Sequence, residues 1–367
     1  MLASTSRCVR LQSAIVQQRQ RALHDLVTSV NKPYIAYGPP GRSANTGHVA
    51  TVFGCTGFLG RYLVAKLAKS GTQVIVPYRE EDSKRHLKVM GDLGQIVPME
   101  WDLHRDDQIE ECLRHSDIVY NLVGREYETK NFNYDAVNAK GAQRIASVAA
   151  QAGVGQFVHV SHLNASHDSP SAFYRSKALS EDLVREAFPA ATIVRPSIQY
   201  GYEDRLLNNM AIWAIWWKLN HAKTKIRPVH VLDVAQALAN VVSMSSLPGT
   251  FNLPGPSTLS FKYLLELVST VTYNPPSVAP VVPKRVALVL AKAAQKVWWP
   301  ALSPDEVVRR YIDDVDLPGD WDKFGVTPDE IEDHAISYLR RYRSADNYSR
   351  PVVFPPSREP SESYNVA

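Results

Sequence analysis

The chain is poor in cysteine, with three in 367 residues: Cys8, Cys55 and Cys112. Their spacing matches no metal-ligand pattern, and three are too few for a disulfide framework, so a reducing compartment is the simpler reading. No apolar run approaches the ~20 residues of a spanning helix, which argues against a protein integral to a membrane. Charge of one sign is also scarce. The net charge of +4 is too small to imply a nucleic-acid partner, and no base-stacking motif accompanies it. No internal repeat is present. Acid is missing altogether from the first 24 residues, where Arg7, Arg10, Arg19 and Arg21 stand among Ser and Gln. That composition predicts a mitochondrial transit peptide over residues 1–30, with a basic arm as the plainer alternative.

Against these absences, one stretch is dense with signal. Val49 to Phe53 is a short β-branched run that reads as a buried strand. Gly54, Gly57 and Gly60 follow at three-residue spacing. Phe58, Leu59, Leu63, Val64 and Leu67 then recur at helical spacing until Gly71. A strand, a glycine turn and a helix form the phosphate site of a dinucleotide-binding unit. Gly54 supplies the tight turn, Gly57 lets the pyrophosphate approach, and Gly60 lets the helix lie close to the sheet. The pyrophosphate would rest on the first helical N–H groups, from Thr56 through Phe58 and Leu59. A tight turn without a ligand would have the same pattern.

The rest of the first 200 residues alternates short apolar runs with amphipathic helices. Strands are expected at 72–79, 95–101, 117–123, 156–163 and 192–196. Helices are expected at 83–90, 106–115, 134–152 and 172–188. This alternation predicts an α/β fold, a Rossmann-like doubly wound parallel sheet covered on both faces. Beyond Gly201 it breaks down. Helices are expected at 206–219, 234–244 (with Asp233 as its cap), 261–270, 283–299 and 329–341, with short strands at 228–231 and 249–253. The expected organisation is a nucleotide-binding domain over 45–205, a smaller C-terminal helical lobe over 206–343, and an extended polar tail over 344–367. Residues 31–47 read as an extended lead-in.

The end of the second strand sets the cofactor. An NAD site carries an acid there for the ribose 2′-hydroxyl. Here Arg79 stands instead, and a guanidinium suits a 2′-phosphate, so NADPH is expected over NADH. Arg61 is placed to help, whereas Glu80, Glu81 and Asp82 work against the assignment. Asp102 and Leu103 end the third strand, where a carboxylate can accept from the adenine amino group or cap the next helix. Leu122, Val123 and Gly124 end the fourth strand, where backbone would pass the second ribose.

To this point the pattern resembles the extended and atypical short-chain dehydrogenase/reductase family, whose turn is spaced Gly-x-x-Gly-x-x-Gly. Members carry a Tyr-x-x-x-Lys pair after the fifth strand and a Ser or Thr at that strand's end. The resemblance assigns Lys177 to the nicotinamide ribose, Ser161 to the strand end, and Pro196 and Ile198 to the pocket wall. It also exposes a departure. The helix reads Ala172-Phe-Tyr-Arg-Ser-Lys177, with Phe173 where the proton-transferring Tyr belongs. Tyr174 is one residue late, about 100° around the helix. Phe cannot transfer a proton, which removes a contribution of about 10²–10⁴-fold. No catalytic residue and no metal ligand is therefore expected. An active mitochondrial NADP-dependent reductase using Tyr174 or His162 is the alternative, although a buried hydrogen-bonding role for His162 is the plainer one. A free RNA-binding or regulatory protein is disfavoured by the weak charge.

Taken together, His159-Val-Ser-His-Leu-Asn-Ala165, Tyr174-Arg-Ser-Lys-Ala-Leu-Ser-Glu181, Val194-Arg-Pro-Ser197 and Gly201-Tyr-Glu-Asp-Arg205 are similar to one branch of that family. The branch is the nucleotide-binding accessory subunits of mitochondrial respiratory complex I, alpha-subcomplex subunit nine type. The resemblance spans roughly residues 45–260. It implies tight NADPH binding without turnover, other complex I subunits as partners, and a peripheral place on the matrix side of the inner membrane near the junction of the two arms. Physical features fit that place. Over 283–299, Lys284, Arg285, Lys292, Gln295 and Lys296 project to one side, and Val286, Leu290, Ala293, Ala294 and Val297 to the other. Trp298 and Trp299 follow. Trp213, Trp216 and Trp217 lie near Lys218, Lys223 and Lys225. Basic amphipathic helices with Trp anchors suit an anionic surface such as cardiolipin, and equally a core-facing helix with a solvated basic face.

Overall fold

The computed structural model describes residues 26–29, 32–35, 45–129, 131–212, 218–244, 247–274, 280–297 and 303–355. Most of the transit-peptide segment, the five Trp residues at 213, 216, 217, 298 and 299, and the end of the tail lie outside these residues. Leu26–Ser29 pairs antiparallel with Lys32–Ile35.

Seven strands form one parallel sheet: β1 (Val49–Phe53), β2 (Gln73–Tyr78), β3 (Ile96–Glu100), β4 (Ile118–Asn121), β5 (Gln156–Val160), β6 (Thr192–Pro196) and β7 (Gly249–Leu253). Their spatial order is β7-β6-β5-β4-β1-β2-β3. The order reverses between β1 and β4, the switch point at which doubly wound sheets bind ligands beyond their strand ends. β7 comes from the C-terminal half of the chain and pairs in parallel with β6 as the edge strand.

Each strand feeds both faces because successive side chains alternate. Val52, Tyr120 and Val158 pack into one layer with α1 (Phe58–Lys69) and a helix over Val231–Asn240. Phe53, Val119 and Phe157 point the other way, onto α2 (Asp106–Leu113) and α3 (Gly141–Gln151), and against Val184 and Phe188 at the end of α4 (Ala172–Ala187). A separate core joins α5 (Leu206–Ile212) to α7 (Phe261–Thr272) and a helix over Ile331–Leu339.

Several expected elements come out differently. The helix expected from 134 opens as a π-helical turn, Asp135–Lys140. Asn138 sits in that turn. Its Oδ1 accepts from the Arg125 N–H at 2.9 Å, and its Nδ2 donates to the Ser176 hydroxyl at 3.0 Å. The segment at 83–90 is a 3₁₀ turn (Glu81–Lys84) plus one helical turn (Arg85–Lys88). Asp233 does not cap α6 (Val231–Asn240). The cap is His230, and Asp233, inside the first turn, accepts from the Asp329 N–H at 2.8 Å. A carboxylate within the first turn gains from the helix dipole without being the cap.

Candidate functional site: the glycine turn and the capped lysine helix

The site is built at the switch point. Gly54 has φ +81°, and a Cβ there would lie 2.9 Å from the Leu122 carbonyl carbon. Only glycine lets the β1 turn press against the end of β4 in this way. At Gly60 a Cβ would lie 2.4 Å from the Gly54 oxygen and 2.6 Å from Cys55 Cα, so glycine also sets the approach of α1 to the turn. Gly57 is the N-cap of α1. It brings no capping side chain, and no acid stands in the first turn. The N–H groups of Phe58, Leu59 and Gly60 therefore begin the helix with no side-chain partner at the cap, the arrangement that holds phosphate. These residues and Thr56 come together with Leu122 as the sequence predicts.

Arg61 is already engaged. Its guanidinium pairs with Glu203 and donates to the Thr56 carbonyl. Arg79 follows β2 directly, is exposed, and has no side-chain partner among the described residues. Two of the acids after it are spent locally: Glu81 pairs with Lys84 at 2.6 Å and Asp82 with Arg85 at 2.8 Å. Asp102 accepts from the His104 N–H at 2.8 Å, a bond that holds its carboxyl below the usual range. It closes a turn and does not cap α2, whose N-cap is Arg105. The Leu103 side chain packs on Gly141, and its carbonyl accepts from Arg144. Val123 donates its N–H to the Asn121 side chain at 3.1 Å.

Lys177 stands where the family pattern puts it. Its Nζ donates to the Val160 carbonyl at 3.1 Å and would lie 3.2 Å from a Cβ at Gly124. The ammonium thus bridges the ends of β5 and β4. Burial pushes its pKa down to about 8, and Glu181 and Glu126 oppose that shift. Ser161 is committed elsewhere. Its hydroxyl donates to Glu181 at 2.5 Å, and the buried Glu181 also takes a bidentate pair from Arg195 at 2.8 and 2.6 Å. Pro196 accepts from the Leu163 N–H, and Ile198 from the Val229 N–H.

One turn before Lys177, the Phe173 ring is buried 6.0 Å from Nζ. Tyr174 turns against the His162 ring, with centroids 4.8 Å apart, and burial pushes its phenol up to about 12. His162 is held neutral, its pKa pushed down to about 3 by burial, and its Nδ1 accepts from the Asn164 N–H at 3.1 Å. His162 is half-buried, and the bond at Nδ1 is in keeping with the hydrogen-bonding role that the sequence favours for it.

The sequence does not reveal what covers this group. The helix α9 (Pro304–Arg309) lays Arg309 over the Phe173 ring, with the guanidinium carbon 4.7 Å from the centroid. Arg309 also donates to the Glu126 carbonyl at 3.1 Å. Asp305 accepts from the Ser171 hydroxyl and the Ala172 N–H, both at 2.8 Å, and so caps α4 from outside it. Further along, Asp314 accepts from Asn164, Ser197 and the Arg227 N–H, and Asp320 from the Asn252 N–H. Residues 305–320 therefore cross the carboxyl ends of β5, β6 and β7. Ser303-Pro-Asp-Glu306 announces the start of α9 by its capping pattern, and Ser303 does accept from the Glu306 N–H at 3.1 Å. Nothing local announces where the helix docks.

α8 (Lys284–Val297) packs on α9 through Ala287 and Ala291 against Val307, all buried. Its outward face exposes Val286, Val289 and Leu290, beside exposed Arg285 and Lys292. Lys284 is not on that flank. Its Nζ lies 5.1 Å over the Tyr311 ring.

His230, Asp329 and His334 gather as a group that could hold a metal among the described residues. The two imidazoles stack at 4.1 Å with planes 14° apart, so their in-plane lone pairs do not converge on one ion. His230 instead shares a hydrogen bond with the Tyr338 hydroxyl at 2.7 Å. No helix of the described residues is long and apolar enough to cross a membrane.

Comparison with known proteins agrees with this geometry. A family described as NAD(P)H-binding matches residues 54–243. The NADH-ubiquinone oxidoreductase 40 kDa subunit, mitochondrial, of Neurospora crassa is 41% identical over 351 residues, 94% of this chain and 93% of that protein. The NADH dehydrogenase [ubiquinone] 1 alpha subcomplex subunit 9 of Rattus norvegicus is 40% identical over 344 residues, 90% of this chain and 88% of that protein. Among solved structures, the triphenylmethane reductase of Citrobacter sp. aligns with TM-score 0.60 at 15% identity, over 80% of this chain and 99% of that one. At that identity the likeness concerns the fold alone.

Proposed function

The chain belongs to the family of the NADH-ubiquinone oxidoreductase 40 kDa and alpha subcomplex subunit 9 proteins and carries an NAD(P)H-binding domain, and from that premise we propose that it is a non-catalytic accessory subunit of mitochondrial complex I that holds NADPH tightly as a structural ligand. The observation that carries the reading is the pairing of a retained Lys177 with a Phe173 ring sealed under Arg309. The nucleotide half of the site keeps its parts. The half that would handle a substrate carbonyl presents Phe173 where the family's proton donor belongs, and the chain's own α9 and the segment after it cover that place. NADPH is favoured over NADH because Arg79 stands unpaired at the β2 end among the described residues, and of the three acids after it Glu81 and Asp82 pair with Lys84 and Arg85, which leaves Glu80 alone against the assignment.

The subunit's place is the matrix side of the inner membrane, with other complex I subunits as partners. α8 supports contact with an anionic bilayer, cardiolipin included. Ala287 and Ala291 face the core, as the core-facing alternative has it, but the Val286, Val289 and Leu290 stripe faces outward, and Arg285 and Lys292 flank the stripe with positive charge. The experiment is native separation of gently extracted mitochondrial membranes, with fluorescence of the nucleotide released from the band that holds this chain. NADPH released from a large NADH-oxidising complex, with no turnover by the isolated chain, is the expected result. A free chain that consumes NADPH with a carbonyl substrate overturns the reading.

A further inference from the structure

α9 is a two-sided wedge. On one side Arg309 lies over Phe173 and holds the Glu126 carbonyl, while Asp305 fixes the N-terminus of α4. Phe173, the Glu126 backbone and the start of α4 flank the nicotinamide end of the site, and α9 backs them from outside it. The Arg125 and Glu126 segment directly continues the β4 end at Gly124, against which the Lys177 ammonium rests. On the other side Val307 packs against Ala287 and Ala291 of α8. The far face of α8 is the exposed apolar stripe with its basic flank. A continuous line of packed groups therefore runs from the cofactor pocket to the outward face of α8, and every link is a ring contact, a hydrogen bond or a buried side chain.

We infer that occupancy of the nucleotide site and docking of α8 on an anionic lipid surface are coupled through α9. The inference rests on the proposed reading of the nucleotide and lipid sites and goes beyond it by joining them. A bound dinucleotide confines the 124–126 backbone, which holds the Glu126 anchor of Arg309, and Lys177, one turn along the helix that carries the Phe173 anchor. α9 then seats firmly, and α8 meets the surface already ordered, with less conformational entropy to lose there. Reciprocity requires that the surface tighten nucleotide binding by the same factor.

The test uses the full chain, stripped of nucleotide or saturated with NADPH, and vesicles of phosphatidylcholine with or without cardiolipin. Partition onto cardiolipin vesicles is expected to rise about tenfold with NADPH, within the range usual for coupled sites. The NADPH dissociation constant is expected to fall by the same factor when those vesicles are present. Arg309→Met removes the guanidinium contacts and leaves both binding surfaces. In it each binding step is expected to remain measurable while the coupling factor falls towards one. Val307→Ala, which loosens the α8 contact alone, is expected to fall between. Vesicle binding that is unchanged by NADPH overturns the coupling and leaves the lipid reading standing. Equal binding to neutral and cardiolipin vesicles overturns both. Full coupling retained in Arg309→Met overturns the route through α9.

Discussion

Replacing Lys177 with Met should stabilise the nucleotide-free protein at neutral pH and destroy its cofactor site. Burial pushes the Lys177 pKa down from 10.5 to about 8. A shift of about 2.5 units at about 1.4 kcal/mol per unit is about 3 kcal/mol against the charged form in the folded state. Met fills a similar volume without charge. It forfeits the bond to the Val160 carbonyl, a loss of about 1 kcal/mol, which leaves a net gain of about 2 kcal/mol. The sign follows from linkage. Between pH 8 and 10.5 the unfolded chain binds the Lys177 proton and the folded chain does not, so wild-type stability rises with pH across that window. Below pH 8 the penalty is present in full. The advantage of Met should therefore be about 2 kcal/mol at pH 7, shrink above pH 8, and vanish or reverse by pH 10.5. Urea unfolding of both proteins, freed of nucleotide, at pH 7, 8, 9 and 10 measures this directly. A difference constant over that range, or a less stable Met variant at pH 7, refutes the reasoning, since either would mean that the ammonium is well solvated where it stands.

Gly60→Ala should lower stability by about 2 kcal/mol or more and abolish NADPH retention, because its Cβ would fall 2.4 Å from the Gly54 oxygen and nothing there is a flexible side chain; thermal unfolding and released-nucleotide fluorescence read both effects. Arg79→Gln should weaken NADPH by about tenfold to a hundredfold and leave NADH almost unchanged, as the loss of a charge-assisted pair of about 1.5–3 kcal/mol requires; competition binding with the two nucleotides separates the cases. Phe173→Tyr should give no carbonyl-dependent NADPH oxidation in a spectrophotometric assay, since Arg309 still covers the ring and 305–320 still cross the strand ends.

The nucleotide half of the site was legible because its information is local. A β-branched run, three glycines at fixed spacing and a helical stripe lie within residues 49–67, and the positive φ of Gly54 and the close approach at Gly60 are backbone demands that only glycine meets. Lys177 was legible through the family resemblance, which expects a lysine four residues after position 173. Three features were not. The engagement of Arg61 by Glu203 and of Ser161 by Glu181 depends on which distant carboxylate the fold delivers, and charge pairing leaves no periodic trace. The π-turn at Asp135–Lys140 follows from Asn138 reaching the Arg125 backbone, a competition between side chain and helix that propensity cannot rank. The docking of α9 on α4 is the largest omission, because an Asp and an Arg four apart on a helix read as an ordinary i,i+4 pair.

That omission changes what a phenylalanine at position 173 means. Had Phe173 been the only departure, the site would be an enzyme one substitution from activity, with an open cleft awaiting substrate. Instead Asp305, Arg309, Asp314 and Asp320 each satisfy a polar group at a strand or helix end on the cleft side. Removing that cover would leave three part-buried donors, the Ala172 and Asn252 N–H groups and the Ser197 hydroxyl, without these acceptors, each at about 1 kcal/mol. The covered cleft thus contributes to stability, while a retained nucleotide site adds ligand stabilisation of about 4 kcal/mol at a thousandfold excess over the dissociation constant. On the proposed reading both halves of the site then serve the folded state, one through its own chain and the other through NADPH, and a tyrosine at position 173 alone would not give the site carbonyl chemistry.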